Sequence, residues 1–399
     1  MRALFFGTYD TASHPRVSVL IEGLRAHGIA VTECNAPLGL STAARVALLR
    51  RPWLLPVLAV RLALCWARLV RGARRLPRPD VVVVGYLGHF DVRLARRIYG
   101  RERDTTIALD HLIGASDTAT DRGVTGGLRQ RLLRRLDSGA LAAADLVLVD
   151  TAEHGEALPA AERGKAVVVA VGAPAPWFVE GGYDGANRAG SASAASLTPE
   201  QPGRPGPPEQ SGQPAPLRVV FFGLYTPLQG APVIGAALAE LAGDPSLIEA
   251  TMCGSGQDLA ETRRLAAANP QVRWHDWVPP AELPGLVAGH DVCLGIFGTG
   301  PKALRVVPNK VFQGAAAGCA VLTSDTAPQR RLLGTAAVYV PPGDAQALAA
   351  ALRGLAGDRG ALRRARTAAL ELARSDFTPA AVTAPLARRL ATLTPEVRQ

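Results

Sequence analysis

A lysine and a glutamine stand one helical turn apart in the stretch VPNKVFQGAAAGCAVLTSD, residues 307–325. Its small residues predict a short helix that ends at Gly318, followed by a buried strand. Lys310 then falls in the first helical turn, where the partial positive charge of a helix N-terminus favours an anion over a cation. A lysine there predicts a bound anion, and the amide of Gln313 suits hydroxyl groups on the same face. The pair therefore fits a nucleotide diphosphate and its ribose.

Three more segments of the second half carry groups suited to a phosphate or a sugar. FFGLYTPLQGAPVI places Gly223 at a predicted strand end and Gly230 before a predicted helix, where backbone N–H groups can approach a phosphate. Glycines at such a turn are also explained by packing alone. MCGSGQD places Gly254 at another strand exit, where a sugar can lie against bare backbone. GIFGTGPKALRVVPNK adds the basic residues Lys302 and Arg305.

Acidic side chains and a histidine follow a predicted strand of the first half. The segment IALDHLIGASDTATDRG carries Asp110 and His111 at the strand end and Asp117 a few residues later. Asp110 and Asp117 are expected either to bind hydroxyl groups of an acceptor or to cap the following segment.

The turn GTYDTASHPR places Gly7, His14 and Arg16 at the matching edge of the first half. Gly7 is expected to lie at a binding site, whereas His14 and Arg16 either share that role or stabilise the turn. Asp91, in GHFDVRLARR, is expected to cap the helix that follows it.

Parallel strands are needed to bring these residues to one edge, and the sequence predicts them. ALFFGTYDT, residues 3–11, is echoed by VVFFGLYTP, residues 219–227, and a helical pattern follows each. Further apolar strands alternate with helices: VTECN, DVVVVGY, TTIALDH and DLVLVD in the first half, then EATMCG, DVCLGIF and CAVLTSD. This predicts an α/β fold of two tandem Rossmann-like domains, with ligands outside the carboxyl ends of the strands in an interdomain cleft.

A chain of 399 residues is long enough for two domains. We expect an N-terminal domain over 1–180 and a C-terminal domain over 217–375. Residues 181–216, rich in Gly, Pro and Ser, are expected to form a disordered linker without a function of its own. The strand pattern in 165–178 either completes the first domain or bridges to the second. Residues 376–399 are expected to be helical, with a crossing back to the first domain left open.

Cysteine usage and the N-terminus indicate the compartment. The five cysteines show no CxxC and no metal-ligand spacing, so they are expected to be reduced packing residues, and no metal or cofactor is predicted. MRALFFGTYD runs directly into a strand without a signal peptide. We therefore expect a cytoplasmic protein.

The net charge of +10 is concentrated in one segment. Residues 45–103 hold 14 arginines, no lysine and three acidic residues, a balance of +11. Within residues 50–78 of this segment, an apolar helical pattern carries Arg61, Arg68 and Arg75 at a spacing of seven.

Several explanations of this basic helix remain open. It is expected either to cover its own domain with the arginines in water, or to lie on an anionic membrane surface at the inner face of the membrane. The arginines make a transmembrane helix less favoured. Nucleic acid is not an expected partner, because no recognised module accompanies the charge.

The motifs quoted above resemble those of glycosyltransferase family 4. The resemblance covers nearly the whole chain, and its most specific parts are WHDWVPPAELPGLVAGHDVCLGIF, residues 274–297, and NKVFQGAAAGCAVLTSD. It implies the two-domain GT-B architecture and transfer of a sugar from a nucleotide donor, with retention of anomeric configuration and without a metal. The C-terminal domain would be the donor side and the N-terminal domain the acceptor side. The donor would be a UDP- or GDP-sugar. The acceptor would be a glycan, a lipid-linked molecule or a small molecule.

The chain departs from the family pattern at the positions that usually carry charge. Arg305 and Gln313 occupy the places of two glutamates, and the neutral Leu224 and Gln229 replace the basic residues of the phosphate turn. Lys310 is therefore expected to be the main cation for the donor phosphates. These substitutions motivate the alternative of an inactive or weakly active nucleotide-sugar-binding scaffold.

The resemblance also implies a role for His111. Family enzymes present a histidine from this strand edge towards the donor sugar, and His111 is the matching residue, expected to be catalytic. The departing phosphate needs positive charge and hydrogen-bond donors, and it is often given the role of accepting the acceptor's proton in retaining transferases. A nicotinamide-dependent oxidoreductase is not favoured, because no GxGxxG with a downstream acidic residue is present.

Overall fold

The computed structural model describes residues 1–10, 15–39, 55–85, 88–100, 105–112, 114–116, 120, 127–179 and 215–393. His14, Asp117 and most of the expected linker, 181–214, lie outside these ranges.

Six parallel strands alternate with helices in the first half of the chain. The strands are β1 (Arg2–Gly7), β2 (Ala30–Asn35), β3 (Val81–Val84), β4 (Thr106–Asp110), β5 (Leu146–Val149) and β6 (Ala166–Val168). The helices are α1 (Pro15–Ala26), α2 (Leu55–Ala73), α3 (Asp91–Tyr99), α4 (Gly127–Ala142) and α5 (Ala152–Ala157).

The second half repeats this plan. Its strands are β7 (Leu217–Phe222), β8 (Ile248–Cys253), β9 (Val272–His275), β10 (Val292–Leu294), β11 (Ala320–Ser324) and β12 (Ala337–Val340). Its helices are α6 (Ala231–Glu240), α7 (Leu259–Leu265), α8 (Leu283–Ala288), α9 (Asn309–Ala316), α10 (Ala327–Leu333), α11 (Ala345–Gly357), α12 (Arg359–Asp376) and α13 (Pro379–Leu393). The short helix and the following strand predicted in 307–325 are confirmed as α9 and β11.

The strands form two separate parallel sheets, ordered β2-β1-β3-β4-β5-β6 and β12-β11-β10-β7-β8-β9. Each reverses its strand order once, between β1 and β3 in the first sheet and between β7 and β10 in the second. Apolar cores lie on both faces of each sheet, as buried parallel strands require. The α/β class with two tandem Rossmann-like domains is confirmed. A ligand is expected where the strand order reverses, beside Gly7 and Gly223.

The chain crosses between the two halves at more than one place. After β6, Val171, Ala173 and Trp177 pack into a core of the second half, where Trp177 stacks on Phe222 with ring centroids 5.5 Å apart. In the opposite direction, α13 packs against α1 and places Leu386 and Leu390 in a core of the first half. The segment after β6 therefore completes a core of the second half, and α13 completes a core of the first half.

All five cysteines are free and buried, which confirms the prediction that they are packing residues. In the described part of the chain, no helix combines the length and apolar character needed to cross a bilayer.

Candidate active site

Lys310 is the best-defined feature at the carboxyl edge of the second sheet. Its side chain is only 4% exposed, and its ammonium donates a hydrogen bond to Oε1 of Gln229. The ammonium also lies 3.7 Å from the ring centroid of Phe221, a cation–π contact. Burial lowers the pKa of Lys310 to about 7. Among the described residues Lys310 makes no ion pair, so no carboxylate balances its charge when the ammonium is protonated.

Two glycines give this lysine its surroundings. Gly223 follows β7 with φ +135°, and a Cβ added to it would lie 3.4 Å from Nζ of Lys310. Gly254 follows β8 with φ +121°, and a Cβ there would lie 1.9 Å from the carbonyl oxygen of Gly223. Side chains at these positions would strain the backbone, and one at Gly254 would overlap the carbonyl group of Gly223. The two glycines therefore form a bare backbone surface beside the ammonium.

Gly230 and Gln313 lie in the same half of the molecule. Gly230 precedes α6 in a left-handed conformation, and a Cβ would lie 2.4 Å from the backbone nitrogen of Gly298. Packing against that loop accounts for the glycine without a ligand. Gln313 lies one turn after Lys310 on α9 and is also buried. The structure thus keeps the amide and the lysine on one short helix, as the sequence predicts.

Arg305 lies at the junction between the two halves. It ends a short 3₁₀ turn, Ala303–Arg305, and its guanidinium donates to the carbonyl oxygen of Pro301 at 3.0 Å. Its own carbonyl accepts a hydrogen bond from the hydroxyl of Thr151 in the first half at 2.8 Å. A second bridge joins Arg331 to Glu153 at 2.7 Å. Arg305 therefore contributes to the interdomain contact through its backbone, besides any contact with a ligand.

Asp110 and Arg16 form a buried pair in the first half. Nε of Arg16 donates to Asp110 at 2.7 Å, and its guanidinium also donates to the carbonyl oxygens of Val169 and Ala170. Both side chains are almost completely buried. This arrangement ties β4 to the segment after β6, which favours a positioning role for Asp110 over direct contact with acceptor hydroxyls. For Arg16, it favours the stabilising alternative.

His111 follows β4 and lines a cavity of about 280 Å³. Burial and the neighbouring His89 lower its pKa to about 4, so the ring is neutral at neutral pH. Its Nδ1 is buried and has no hydrogen-bond partner among the described residues. A neutral imidazole can donate a hydrogen bond to a sugar hydroxyl or accept one from it, but it supplies no positive charge.

The cavity gathers polar groups from both halves of the molecule. Arg134 and Asp137 of α4 line it together with Lys302 of the second half. Burial acts to raise the pKa of Asp137, but the His89 ring, with Nε2 3.2 Å from Oδ1, and a hydrogen bond from the backbone of Ser116 lower it to about 2. The carboxylate therefore stays ionised. His111 and Lys302 of the second half thus line the same cavity.

The sequence interpretation missed His154, which lines the same cavity. Its Nδ1 is hydrogen-bonded to the carboxylate of Asp150, four residues earlier. Asp150 follows β5, and His154 lies in the first turn of α5, whose N-cap is Thr151. The DTAEH sequence carries the signal, since an i,i+4 pair at the start of a helix brings its side chains together.

Gly7 lies at the strand reversal of the first sheet, but its turn is occupied by Asp91. A Cβ on Gly7 would lie 3.0 Å from Oδ2 of Asp91. That oxygen accepts hydrogen bonds from both the backbone nitrogen and the hydroxyl of Thr8 at 2.8 Å, and Oδ1 accepts from the indole of Trp66 at 2.8 Å. The prediction that Asp91 caps its helix is wrong, because the carboxylate instead joins β1 to α2.

Comparisons with known proteins agree with this geometry. Residues 216–358 match the family model described as Glycosyl transferases group 1. No curated protein matches the sequence.

Solved structures match over almost the entire chain. A sucrose-phosphate synthase from Thermosynechococcus elongatus has a TM-score of 0.67 at 14% identity, covering 98% of both chains. HepE from Anabaena in complex with UDP-glucose has a TM-score of 0.65 at 15% identity, covering 98% of this chain and 100% of its own. An E. coli trehalose-6-phosphate protein bound with UDP-2-fluoro glucose has a TM-score of 0.62 at 13% identity, with complete coverage of both. The chain therefore has the GT-B fold, and its second half resembles the group 1 glycosyl transferases.

Proposed function

We propose that this protein transfers a sugar from a nucleotide-diphosphate sugar to an acceptor hydroxyl group. The observation that carries the proposal is the buried ammonium of Lys310, which lies at the strand reversal of the second sheet without an anionic partner among the described residues. Keeping a cation in such a site is costly unless an anion joins it. A diphosphate lying against Gly223 and Gly254 would supply that anion.

UDP-sugars are the donors that the comparisons favour. HepE was solved with UDP-glucose and the E. coli protein with UDP-2-fluoro glucose, and both share this fold. In the proposed complex, Lys310 contacts the diphosphate and Gln313 the ribose. Gln229 holds the ammonium in place by accepting its hydrogen bond, at the position where the family pattern has a basic residue.

The acceptor is proposed to enter the cavity of the first half. There, the neutral ring of His111 and the ring of His154, which is hydrogen-bonded to Asp150, would form hydrogen bonds with hydroxyl groups of the acceptor. Lys302 of the second half lines the same cavity. During transfer, the bond between the anomeric carbon and the diphosphate oxygen breaks, and the acceptor oxygen bonds to the same carbon. We propose retention of configuration without a metal, with the departing phosphate taking the acceptor's proton and Lys310 stabilising its charge. A lipid-linked acceptor at a membrane fits the basic helix α2, and the protein would act there from the cytoplasm.

A panel of UDP- and GDP-sugars tests this function. The protein is incubated with each donor, with and without membrane extract as a source of acceptors, and the released nucleotide is measured. Binding together with nucleotide release that depends on the extract supports the proposal, and retention is read from the anomeric NMR signals of donor and product. Binding without release under any of these conditions would instead indicate the nucleotide-sugar-binding scaffold.

A matched pair of lysine variants tests whether nucleotide release depends on Lys310. Lys310→Met removes the buried lysine of the donor site, whereas Lys165→Met removes a partly exposed lysine that pairs with Glu162 in the first half. The proposal requires nucleotide release to fall in the first variant and to persist in the second.

A further inference from the structure

Helix α2 leaves apolar side chains on the surface of the molecule. Val57, Val60 and Leu64 are 54%, 61% and 58% exposed. At 3.6 residues per turn these three positions share one face of the helix. A continuous apolar face of this kind is unusual in water when nothing covers it.

Arginines continue the same exposed face. Arg61, Arg68 and Arg71 are all exposed. Arg71 falls within the arc of the three apolar residues, and Arg68 and Arg61 lie next to it, about 20° and 40° beyond Val57. Among the described residues, none of these arginines forms an ion pair. The opposite face carries Cys65, Leu69 and Ala73, all buried against the first sheet, and so the orientation of the helix is fixed.

We propose that this face of α2 docks on the surface of an anionic lipid membrane. Apolar side chains at one end would enter the boundary between headgroups and acyl chains, and the arginines would contact lipid phosphates. Charge complementarity selects this occupant. A second copy of the chain meeting the same face would place arginines against arginines, and a neutral surface would leave them without partners. The buried opposite face excludes an arrangement in which α2 leaves its domain to cross the bilayer.

Hydrogen bonds connect this helix to the acceptor edge of the first sheet. Trp66 lies on the inner side of α2 and donates to Asp91, which in turn accepts from Thr8 beside Gly7. A membrane held against the outer face of α2 therefore lies one helix away from the strand reversal of the acceptor domain. If the proposed glycosyl transfer holds, this placement specifies a lipid-linked acceptor that is reached from the membrane surface.

Flotation with vesicles tests the docking directly. The full chain is mixed with vesicles of phosphatidylcholine alone or of phosphatidylcholine with phosphatidylglycerol, and the bound fraction is measured at low and high salt. We expect binding to the anionic vesicles, weakened by salt, and little binding to the neutral ones. Equal binding to both vesicle types, or to neither, overturns the proposal.

Two triple variants separate the charge from the apolar contacts. Arg61→Gln, Arg68→Gln and Arg71→Gln together should weaken binding about 100-fold, at roughly fivefold per arginine near the surface. The triple variant Val57→Ser, Val60→Ser and Leu64→Ser should also reduce vesicle binding, but the salt dependence of the remaining binding should be unchanged. The control, Arg363→Gln with Arg388→Gln and Arg389→Gln, removes the same charge from exposed positions of α12 and α13. Loss of binding in the control equal to that in the α2 variant contradicts the inference.

Further measurements distinguish this inference from the proposed function. Sedimentation of the lipid-free protein reports self-association, and a dimer abolished by the serine variant would assign the face to a second copy and overturn the membrane proposal. UDP-glucose affinity without lipid should be unchanged in both α2 variants. Vesicle binding without any donor turnover would support the membrane docking and refute the proposed glycosyl transfer. Turnover without vesicle binding would support the glycosyl transfer and refute the docking.

Discussion

Replacing Lys310 with methionine probes the donor site through its most unusual group. The substitution keeps a long apolar side chain over Phe221 while it removes the charge. A hydrogen bond to a charged group contributes about 1.5–3 kcal/mol, so the loss of Lys310 should weaken UDP-glucose binding about 10- to 150-fold. Gln313→Ala removes a neutral hydrogen bond of about 0.5–1.5 kcal/mol, and its effect should stay near two- to tenfold.

The pH dependence of binding gives a second signature of the same lysine. With a pKa of about 7 in the free protein, Lys310 is increasingly neutral above this pH. Because the diphosphate binds the protonated form, the affinity of the wild-type protein should fall as the pH rises, by roughly tenfold per unit between 7 and 9. The diphosphate of a nucleotide sugar keeps its charge over this range. Binding to the methionine variant should be weak and nearly independent of pH.

The pH dependence of the free energy of unfolding provides a control, and the lowered pKa of Lys310 determines whether stability rises or falls with pH. The unfolded chain binds a proton at Lys310 up to a pH near 10.5, whereas the folded chain releases it near 7. Folding of the wild type is therefore penalised below pH 7 and becomes more favourable as the pH rises above it, by an amount that approaches about 5 kcal/mol. The methionine variant should lack this gain in urea titrations. Calorimetric titrations that give equal affinities for the methionine and Gln313→Ala variants, or a wild-type affinity independent of pH, would refute the assignment of Lys310.

Two further substitutions test other parts of the site. His111→Ala should lower kcat for the proposed transfer by roughly 100-fold, with little change in UDP-glucose affinity, because the ring that holds a substrate hydroxyl group in position is lost. Since the pKa of His111 is about 4, its titration should not affect rates above pH 5. A kcat within threefold of wild type would count against a catalytic role for His111. Gly254→Ala should destabilise the protein by about 2 kcal/mol or more, because its Cβ would overlap the carbonyl of Gly223. The matched change Gly354→Ala, at an open position in α11, should stabilise by up to about 1 kcal/mol, and both values are read from urea unfolding.

Strand positions follow closely from the sequence, because a fully buried parallel strand must be a short apolar run. DVVVVGY, TTIALDH and DLVLVD each contain the strand that the structure has, as β3, β4 and β5. The echo between residues 3–11 and 219–227 likewise corresponds to β1 and β7, each at the reversal of its sheet. Periodicity and turn residues are local, so one sequence suffices to find them.

Side-chain partners between distant segments were harder to predict. Asp91 precedes a helical pattern and so suggests a cap, yet its oxygens bind Thr8 and Trp66, which lie 83 and 25 residues away. The sequence leaves Arg16 either at a binding site or in a turn-stabilising role, and the structure pairs its guanidinium with Asp110, 94 residues away. A local pattern cannot reveal such pairings, because they depend on which strands become neighbours. His154 and Asp150 are the exception, since their spacing of four residues makes the contact local.

Each half of the molecule contributes a segment to a hydrophobic core of the other half. A cut anywhere between residues 179 and 215 would leave one fragment that carries Trp177, a residue belonging to the core of the other fragment. That second fragment would carry α13, with Leu386 and Leu390 filling the core of the first. Neither fragment would bury its apolar surface alone, and each would serve as the missing piece of its partner. The two sheets should consequently melt in one cooperative transition, and the nicked protein should remain a single particle.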